Sequence, residues 1–580
     1  MKQYEIIKNK KCNYHIVGAN FSSSCDRFAA SQLQKYIYDS TGVFIPYFSD
    51  RCPKRGPEII IGADTRNGHE LIDAKELEAL GEEGCIIKTV GEEIIITGKT
   101  SRGTLYGVYE FLERFIGFKA FTKDVEIFDH KEELVIPKTD ITVIPDFEYR
   151  DAYFRFAFDG EFCAKNRLNT TLGDISAEKG GNLKFYNCHH AADDLVAPKL
   201  YFESHPEYFA EVDGVRSPDQ LCLTDPDVIK IATETVKRWI KENPECRVFS
   251  VAQNDNQNYC RCKNCRAIDE KEGSPAATNI LFANKIAAEI EKTNPDILIH
   301  TFAYQYTRIA PKTVKPRHNV IVRLCNIECE WGRSIEEIAV QKPESKTAEF
   351  LNNIKEWSAI CDRLYIWDYA VNFSHYLMPF PNFYSMAENI KIYKKYGVKG
   401  MLQQGNFSYG GGAALDDLKS YMIARLTVDS SLDPDKLILD FTEAVYGKGG
   451  KYIREYIRLI TLAAEDQKLT LYDHPNAPYI DDNLVILCDK LFKMAEDAES
   501  GETRKRTQRE HLSIEYLKAV RIEDDRKRAE AVDAFAEKVR AFRLTEIMER
   551  INLDISFDMM KQNRYASDRS AGYRMYYIVR

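Results

Sequence analysis

The chain has 580 residues, more than one hydrophobic core usually organises, so two to four domains are expected. It is 44% hydrophobic and 29% charged, with a formal net charge of −9 and no basic run, which argues against nucleic acid or an anionic membrane as partner. The opening MKQYEIIKNKKCNYHIVGAN lacks an uninterrupted apolar stretch, and the 15 cysteines are an odd count better suited to reduced thiols than to a disulfide framework, so a cytoplasmic protein without a membrane span is expected.

Residues 1–140 read as an α+β accessory domain. FAASQLQKYIYDSTG spaces its apolar residues as a helix does and stops at Gly42; EIIIG (58–62) and EEIIITG (92–98) are β-branched runs closed by glycine. SRGTLYGVYEFLERFIG (101–117) predicts a second helix ending at Gly117.

Residues 141–430 change character. Apolar strands alternate with helical stretches: RVFSVAQND, the helix ATNILFANKIAAEIEK, ILIHTFAYQY, NVIVRLCNIEC, a helix around TAEFLNNIKEWSAI, RLYIWDYAVNF, the helix NFYSMAENIKIYKKYG, then VKGMLQQGNFSYGGG. Strand and helix alternating over about 280 residues, with no glycine-rich phosphate turn after the early strands, predict an α/β fold built on a (β/α)8 TIM-type barrel. Residues 431–580 lose the strands. DPDKLILDFTEAVYG, YIREYIRLITLAAEDQ, NLVILCDKLFKMAEDAES and EHLSIEYLKAV carry helical spacing, giving a C-terminal helical domain whose faces offer a surface for a homo-oligomer.

In such a barrel the chemistry gathers at the carboxyl ends of the strands. The residues directly after each apolar run are Asn254 and Asp255, Tyr304 and Tyr306, Glu328 and Glu330, Trp367, Asp368, Tyr369 and Asn372, and Gln403, Gln404 and Asn406. Carboxylates exchange protons at a glycosidic oxygen, amides hold sugar hydroxyls and aromatic faces stack on pyranose rings, so the ensemble predicts a carbohydrate substrate and glycoside hydrolysis without a cofactor. Asp255, Glu328 and Asp368 are the candidate catalytic carboxylates. Upstream, KFYNCHHAADD and YFESHPEYFAEVDG carry His189, His190, His205 and Glu207; His190 is placed to reach a sugar hydroxyl.

Cys260, Cys262 and Cys265 form CxCxxC after the strand that leads to Asp255. No fourth ligand sits at short spacing, so a metal is not expected; His300, Cys325 or Cys329 would complete a zinc site only through the fold, and a loop disulfide is a further reading. Packed free thiols that shape the rim of the site are favoured.

The segments HPEYF, QLCLTDP, FSVAQNDNQNYCRCKNCRAIDEKEGSPA, VIVRLCNIEC and GMLQQGNFSYGG resemble the domain of unknown function 4838, which includes glycoside hydrolase family 163. The likeness spans roughly 145–430, and the N-terminal unit resembles the accessory domain that precedes the barrel in family 67 α-glucuronidases. The resemblance implies a retaining, endo-acting β-N-acetylglucosaminidase that cleaves N-glycans. Asp255 matches the family's QND and Glu328 its IEC; His190 falls where the family pattern has a histidine, and Asp368 is placed like a third strand-end carboxylate of the family 67 barrels. Glu330 and Trp331 stand where a cysteine and a phenylalanine are expected. The implied mechanism makes Glu328 the general acid and then base, while Asp255 orients the substrate's 2-acetamido group for attack on the anomeric carbon. Two other readings stay open: an α-glucuronidase-like exo-hydrolase with Arg323 and Arg333 as the carboxylate clamp, and a non-catalytic glycan-binding protein.

Overall fold

The computed structural model describes residues 2–66 and 68–564. In the N-terminal part the isoleucine runs Glu58–Ile61, Cys85–Val90 and Glu93–Gly98 pair within a six-stranded mixed sheet, one face of which packs on the helices Ser24–Thr41 and Ser101–Ile116. Each helix is fixed at both ends by its own sequence. Ser23 and Thr100 cap the first turns through their hydroxyls, and Gly42 and Gly117 end the helices at φ of 71° and 66°. Glycine is also needed where helix and sheet meet: a Cβ on Gly98 would lie 2.5 Å from the backbone of Gly103.

Seven parallel strands form the central sheet: β1 (Tyr149–Tyr153), β2 (Phe185–Tyr186), β3 (Val248–Ser250), β4 (Leu298–Ala303), β5 (Val320–Cys325), β6 (Leu364–Tyr369) and β7 (Gly400–Gln404). Their order is β1-β7-β6-β5-β4-β3-β2, so the sheet curls until β1 and β2 face each other across a gap. Residues 169–171 fill that gap. The Asn169 amide donates to Arg150 of β1, the Leu183 amide donates to Asn169, and the Phe185 amide of β2 donates to the Thr171 hydroxyl. The parallel strands expected of a (β/α)8 barrel are thus present as a curled seven-stranded sheet, with an irregular segment between its two edge strands.

Strand geometry alternates side chains between the two faces, and the inward set fills the barrel. Tyr149 stacks on Tyr365 at 5.7 Å, and the Arg323 guanidinium lies over the rings of Phe185, Tyr149 and Trp367 at 4.7, 5.6 and 5.6 Å. Gly400 leaves room for Tyr365, whose ring would come within 2.7 Å of any Cβ there. Each such ring taken fully out of water contributes roughly 2–3 kcal/mol, so the interior is a packed core and not a channel.

The last part is helical, with Pro434–Tyr446, Gly450–Ala464, Asp482–Asp497, Gly501–Val520 and Asp525–Ala541 as its longer elements. Arg509 grips Asp416 through two 2.8 Å bonds and so ties the helix Gly501–Val520 to the helix that follows β7. Two of its loops run onto the barrel mouth. Leu471 accepts from the Phe373 amide, and in the second loop Ile547 accepts from Tyr376 while the Glu549 amide donates to Phe373. No helix among the described residues is long and apolar enough to cross a membrane.

Candidate active site

Asp255 sits on the loop that leaves β3, and the two residues before it are held in place. The Gln253 side chain donates to the Thr307 hydroxyl at 2.8 Å; the backbone of Asn254 exchanges two bonds with the Gln220 amide at 3.0 and 2.8 Å. The Asn254 side chain donates to Asp193 and to the Asp219 carbonyl, so this predicted sugar ligand is spent on the loop. The Asp255 carboxylate stays open to solvent, at 58% exposure, and accepts a 2.8 Å bond from the Gln305 amide. His190 Nε2 lies 4.0 Å away. Because the other ring nitrogen, Nδ1, faces the Gln253 carbonyl at 2.6 Å, it carries a proton, which leaves Nε2 to answer Asp255 or a ligand. Tyr304 and Phe302 flank the imidazole at 6.2 and 5.4 Å.

Gln305 is a residue that strand-end spacing misses, since it lies between the two tyrosines, Tyr304 and Tyr306, that draw notice by type. It adopts φ of 54°, the left-handed region that costs a non-glycine residue about 1–2 kcal/mol, and its buried Oε1 has no hydrogen-bond partner among the described residues. Tyr306 packs instead on Tyr259 at 4.7 Å, under the cysteine loop.

Glu328 follows β5 and is 51% exposed. Arg308, itself only 9% exposed, donates to it and at 2.9 Å to Glu349, with Asn353 bracing the guanidinium at 3.0 Å. Glu330 turns away from the mouth to pair with Lys342 at 2.6 Å.

Asp368 is a correction. It is 1% exposed and accepts from Asn326 (2.7 Å), the Tyr369 amide (2.8 Å), the Tyr393 hydroxyl (2.9 Å), the Trp331 indole (3.1 Å) and Gln403 (3.3 Å). Tyr393 belongs to the helix Phe383–Lys395, so Asp368 faces the helical layer while its neighbours Trp367 and Tyr369 face inward. The structure does not bring it to Asp255 and Glu328. Asn372 and Asn406 are likewise fully used inside loops: Asn372 accepts from the His375 amide and donates to Asp473, and Asn406 bonds Gly412, Glu546 and Ser408.

Trp367 and Gln404 do reach the mouth, joined by a 2.8 Å bond from indole to amide oxygen. The Gln404 nitrogen donates to Glu549 at 3.3 Å, which brings in a carboxylate from 145 residues further along the chain. Phe373 packs edge-on against Tyr369 and Tyr472 at 5.4 and 6.2 Å. Around the strand ends stand the carboxylates Asp255, Glu328 and Glu549, with half-buried Tyr304 and exposed Tyr472, over the buried rings of Trp367 and Tyr369. Below them burial and then the Arg323 charge push the His300 imidazole well below its ordinary range. Arg323 is completely buried, and Arg333 is bound to Asp466 and to the Glu465 carbonyl, so neither clamps a substrate carboxylate at the rim.

The cysteine loop also departs from expectation. Cys222, one residue beyond the strand Val215–Leu221, joins Cys260, Cys262 and Cys265 so that the four sulfurs lie within 4.8 Å of one another, all buried. The missing fourth thiol thus comes from 38 residues upstream, where local spacing gives no sign of it.

Comparison with known proteins sets the fold in context. Residues 3–111 match the N-terminus of glycosyl hydrolase family 67. A family GH115 4-O-methyl-α-glucuronidase with specificity for decorated arabinogalactans superposes with a TM-score of 0.58 at 12% identity, over 94% of this chain and 79% of that one. A GH138 enzyme targeting pectin rhamnogalacturonan II gives 0.44 at 9% identity, over 95% of this chain and 98% of that one. Among curated proteins there is no match. Residues 120–458, more than half of the chain, match the domain of unknown function 4838, and the protein belongs to that family.

Proposed function

We propose that the protein is a glycoside hydrolase that works at the carboxyl-terminal mouth of its barrel on a glycan containing a 2-acetamido sugar, with Asp255 and Glu328 as its working carboxylates. The observation that carries this reading is the pairing of Asp255 with Gln305: an exposed carboxylate at a strand end already accepts the N–H of a side-chain carboxamide, the same donor that a 2-acetamido group offers. In the reaction Glu328 protonates the glycosidic oxygen as the acetamido carbonyl oxygen attacks the anomeric carbon, and Asp255 holds the acetamido N–H. Water, deprotonated by Glu328, then opens the cyclic intermediate and returns the proton count to its start. Arg308 has to loosen its hold on Glu328 for that proton to be carried, and Glu349 offers it a second partner. Tyr304, Trp367 and Tyr369 supply ring faces for the sugar, and His190 and Gln404 supply polar contacts.

A second reading is favoured by a specific residue. Exposed Arg550 directly follows Glu549, which meets Gln404 at the end of β7, and would suit the carboxylate of a glucuronide, the substrate class named for the GH115 relative.

Hydrolysis of aryl β-N-acetylglucosaminide and aryl α-glucuronide by the wild type, Asp255→Asn and Glu328→Gln separates the two. The first reading expects turnover of the N-acetylglucosaminide, a fall of about a hundredfold or more in each variant, and inhibition by a thiazoline analogue of the cyclic intermediate. Turnover of the glucuronide alone selects the second. Equal activity in wild type and both variants removes these carboxylates from the mechanism.

A further inference from the structure

We propose that Cys222, Cys260, Cys262 and Cys265 hold one structural zinc ion as a tetrathiolate site, and that this site clamps the hairpin Phe209–Leu221 to the loop that carries Asp255. The geometry is that of the ion's own coordination. A tetrahedral zinc with sulfurs at about 2.3 Å places its ligands roughly 3.8 Å apart. Cys222 Sγ lies 3.7 Å from Cys262 Sγ and 4.0 Å from Cys265 Sγ, and no pair in the cluster needs more than 4.8 Å. All four are free thiols, too far apart for the sulfur–sulfur bond of about 2.05 Å.

The surroundings fit a thiolate cluster. The Glu211 amide donates to Cys260 Sγ at 3.4 Å, Arg216 approaches the same sulfur at 3.9 Å, and the Thr224 hydroxyl lies 3.2 Å from Cys265 Sγ. Cys262 is the cap of the ten-residue helix Lys263–Glu272, so the positive end of that helix faces the sulfurs. Zinc with four thiolates carries two negative charges, and Arg216 with the helix end supplies the compensation. A bound ion would convert the four buried thiols into a cross-link.

What the ion would link is the wall of the site. Cys222 lies two residues beyond Gln220, whose amide exchanges two bonds with the Asn254 backbone, and Asn254 precedes Asp255. The Arg261 amide, between two of the cysteines, donates to Glu211 of the hairpin at 2.7 Å. The ion is therefore placed to set the loop's position from outside the mouth, with no contact to a substrate.

The test uses the full chain purified without chelators and needs no substrate. Elemental analysis is expected to give about one zinc per chain, released in step with titration of four thiols by a mercurial. Protein made with cobalt is expected to show the thiolate charge-transfer and visible bands of a tetrahedral tetrathiolate. Cys222→Ser should lower bound zinc about tenfold or more after dialysis against chelator, while Cys52→Ser, in the N-terminal part, retains it. Wild-type protein that carries no metal, with the four thiols free or oxidised in pairs, overturns the proposal, as does iron in place of zinc. If Cys222→Ser does not accumulate, the zinc-to-thiol ratio and the cobalt spectrum of the wild type decide alone.

Discussion

Asp255 accepts its 2.8 Å hydrogen bond from Gln305, a residue held at φ of 54°. Backbone strain is kept where a side chain has to be aimed, and here it aims an amide at the exposed carboxylate. Gln305→Gly is expected to relieve that strain and raise stability by about 1 kcal/mol, while kcat/KM on the responsive aryl glycoside falls about tenfold. Thermal unfolding and steady-state kinetics on the same preparation check both signs. A variant that is less stable and fully active would place Gln305 outside the site.

Arg308 divides itself between Glu328 and Glu349. Arg308→Lys keeps the charge but loses the forked grip that holds Glu328, Glu349 and Asn353 together, and is expected to lower kcat/KM on the responsive glycoside about tenfold. Unchanged kinetics in a folded Arg308→Lys protein would mean that this pair does not position the reacting group.

Asp368 is expected to behave as a structural residue. Asp368→Ala leaves five donors without their acceptor in a dry layer and should cost about 3–5 kcal/mol, seen as a lower urea midpoint. Asp368→Asn, which keeps the shape, should lose stability in larger proportion than kcat. A variant of normal stability with its turnover abolished would return Asp368 to the mechanism.

His300 makes stability depend on pH. Its folded imidazole is held well below 6.5 by burial and by Arg323, whereas the unfolded chain takes up a proton as pH falls through about 6.5. Below that value the unfolded state binds more protons, so stability falls with falling pH, by up to about 1.4 kcal/mol per unit for this group. Urea unfolding of wild type and His300→Gln at a series of pH values between about 5 and 7 should show the slope in the wild type and a shallower one in the variant, so that the difference between the two carries the His300 share.

How far the sequence announced this site depends on which geometry each residue obeys. Strand ends are legible because apolar runs stop there, and that is enough to place Asp255, Glu328 and Gln404 at the carboxyl ends of their strands. Facing is not: Trp367, Asp368 and Tyr369 are consecutive in a strand buried along its whole length, and alternation allows only one parity of the three to point inward. Once the two rings are taken as inward, Asp368 must face the helices. Asn372 and Asn406 suit a sugar by type, but polar residues in buried loops are usually needed by the loop itself. Cys222 and Glu549 give no sign at all, since each reaches its partners from far along the chain.

The entrance to the barrel is finished by almost the last described segment. The Gly410 amide donates to Thr545, Asn406 to Glu546, Tyr376 to Ile547, and Glu549 returns a bond to Phe373, although the final barrel strand ends at Gln404. On the ribosome every strand of the barrel therefore emerges before the segment that shapes its opening. A nascent chain that has released only the seven strands lacks the residues that frame the mouth, so the doorway is a later addition than the walls it opens through.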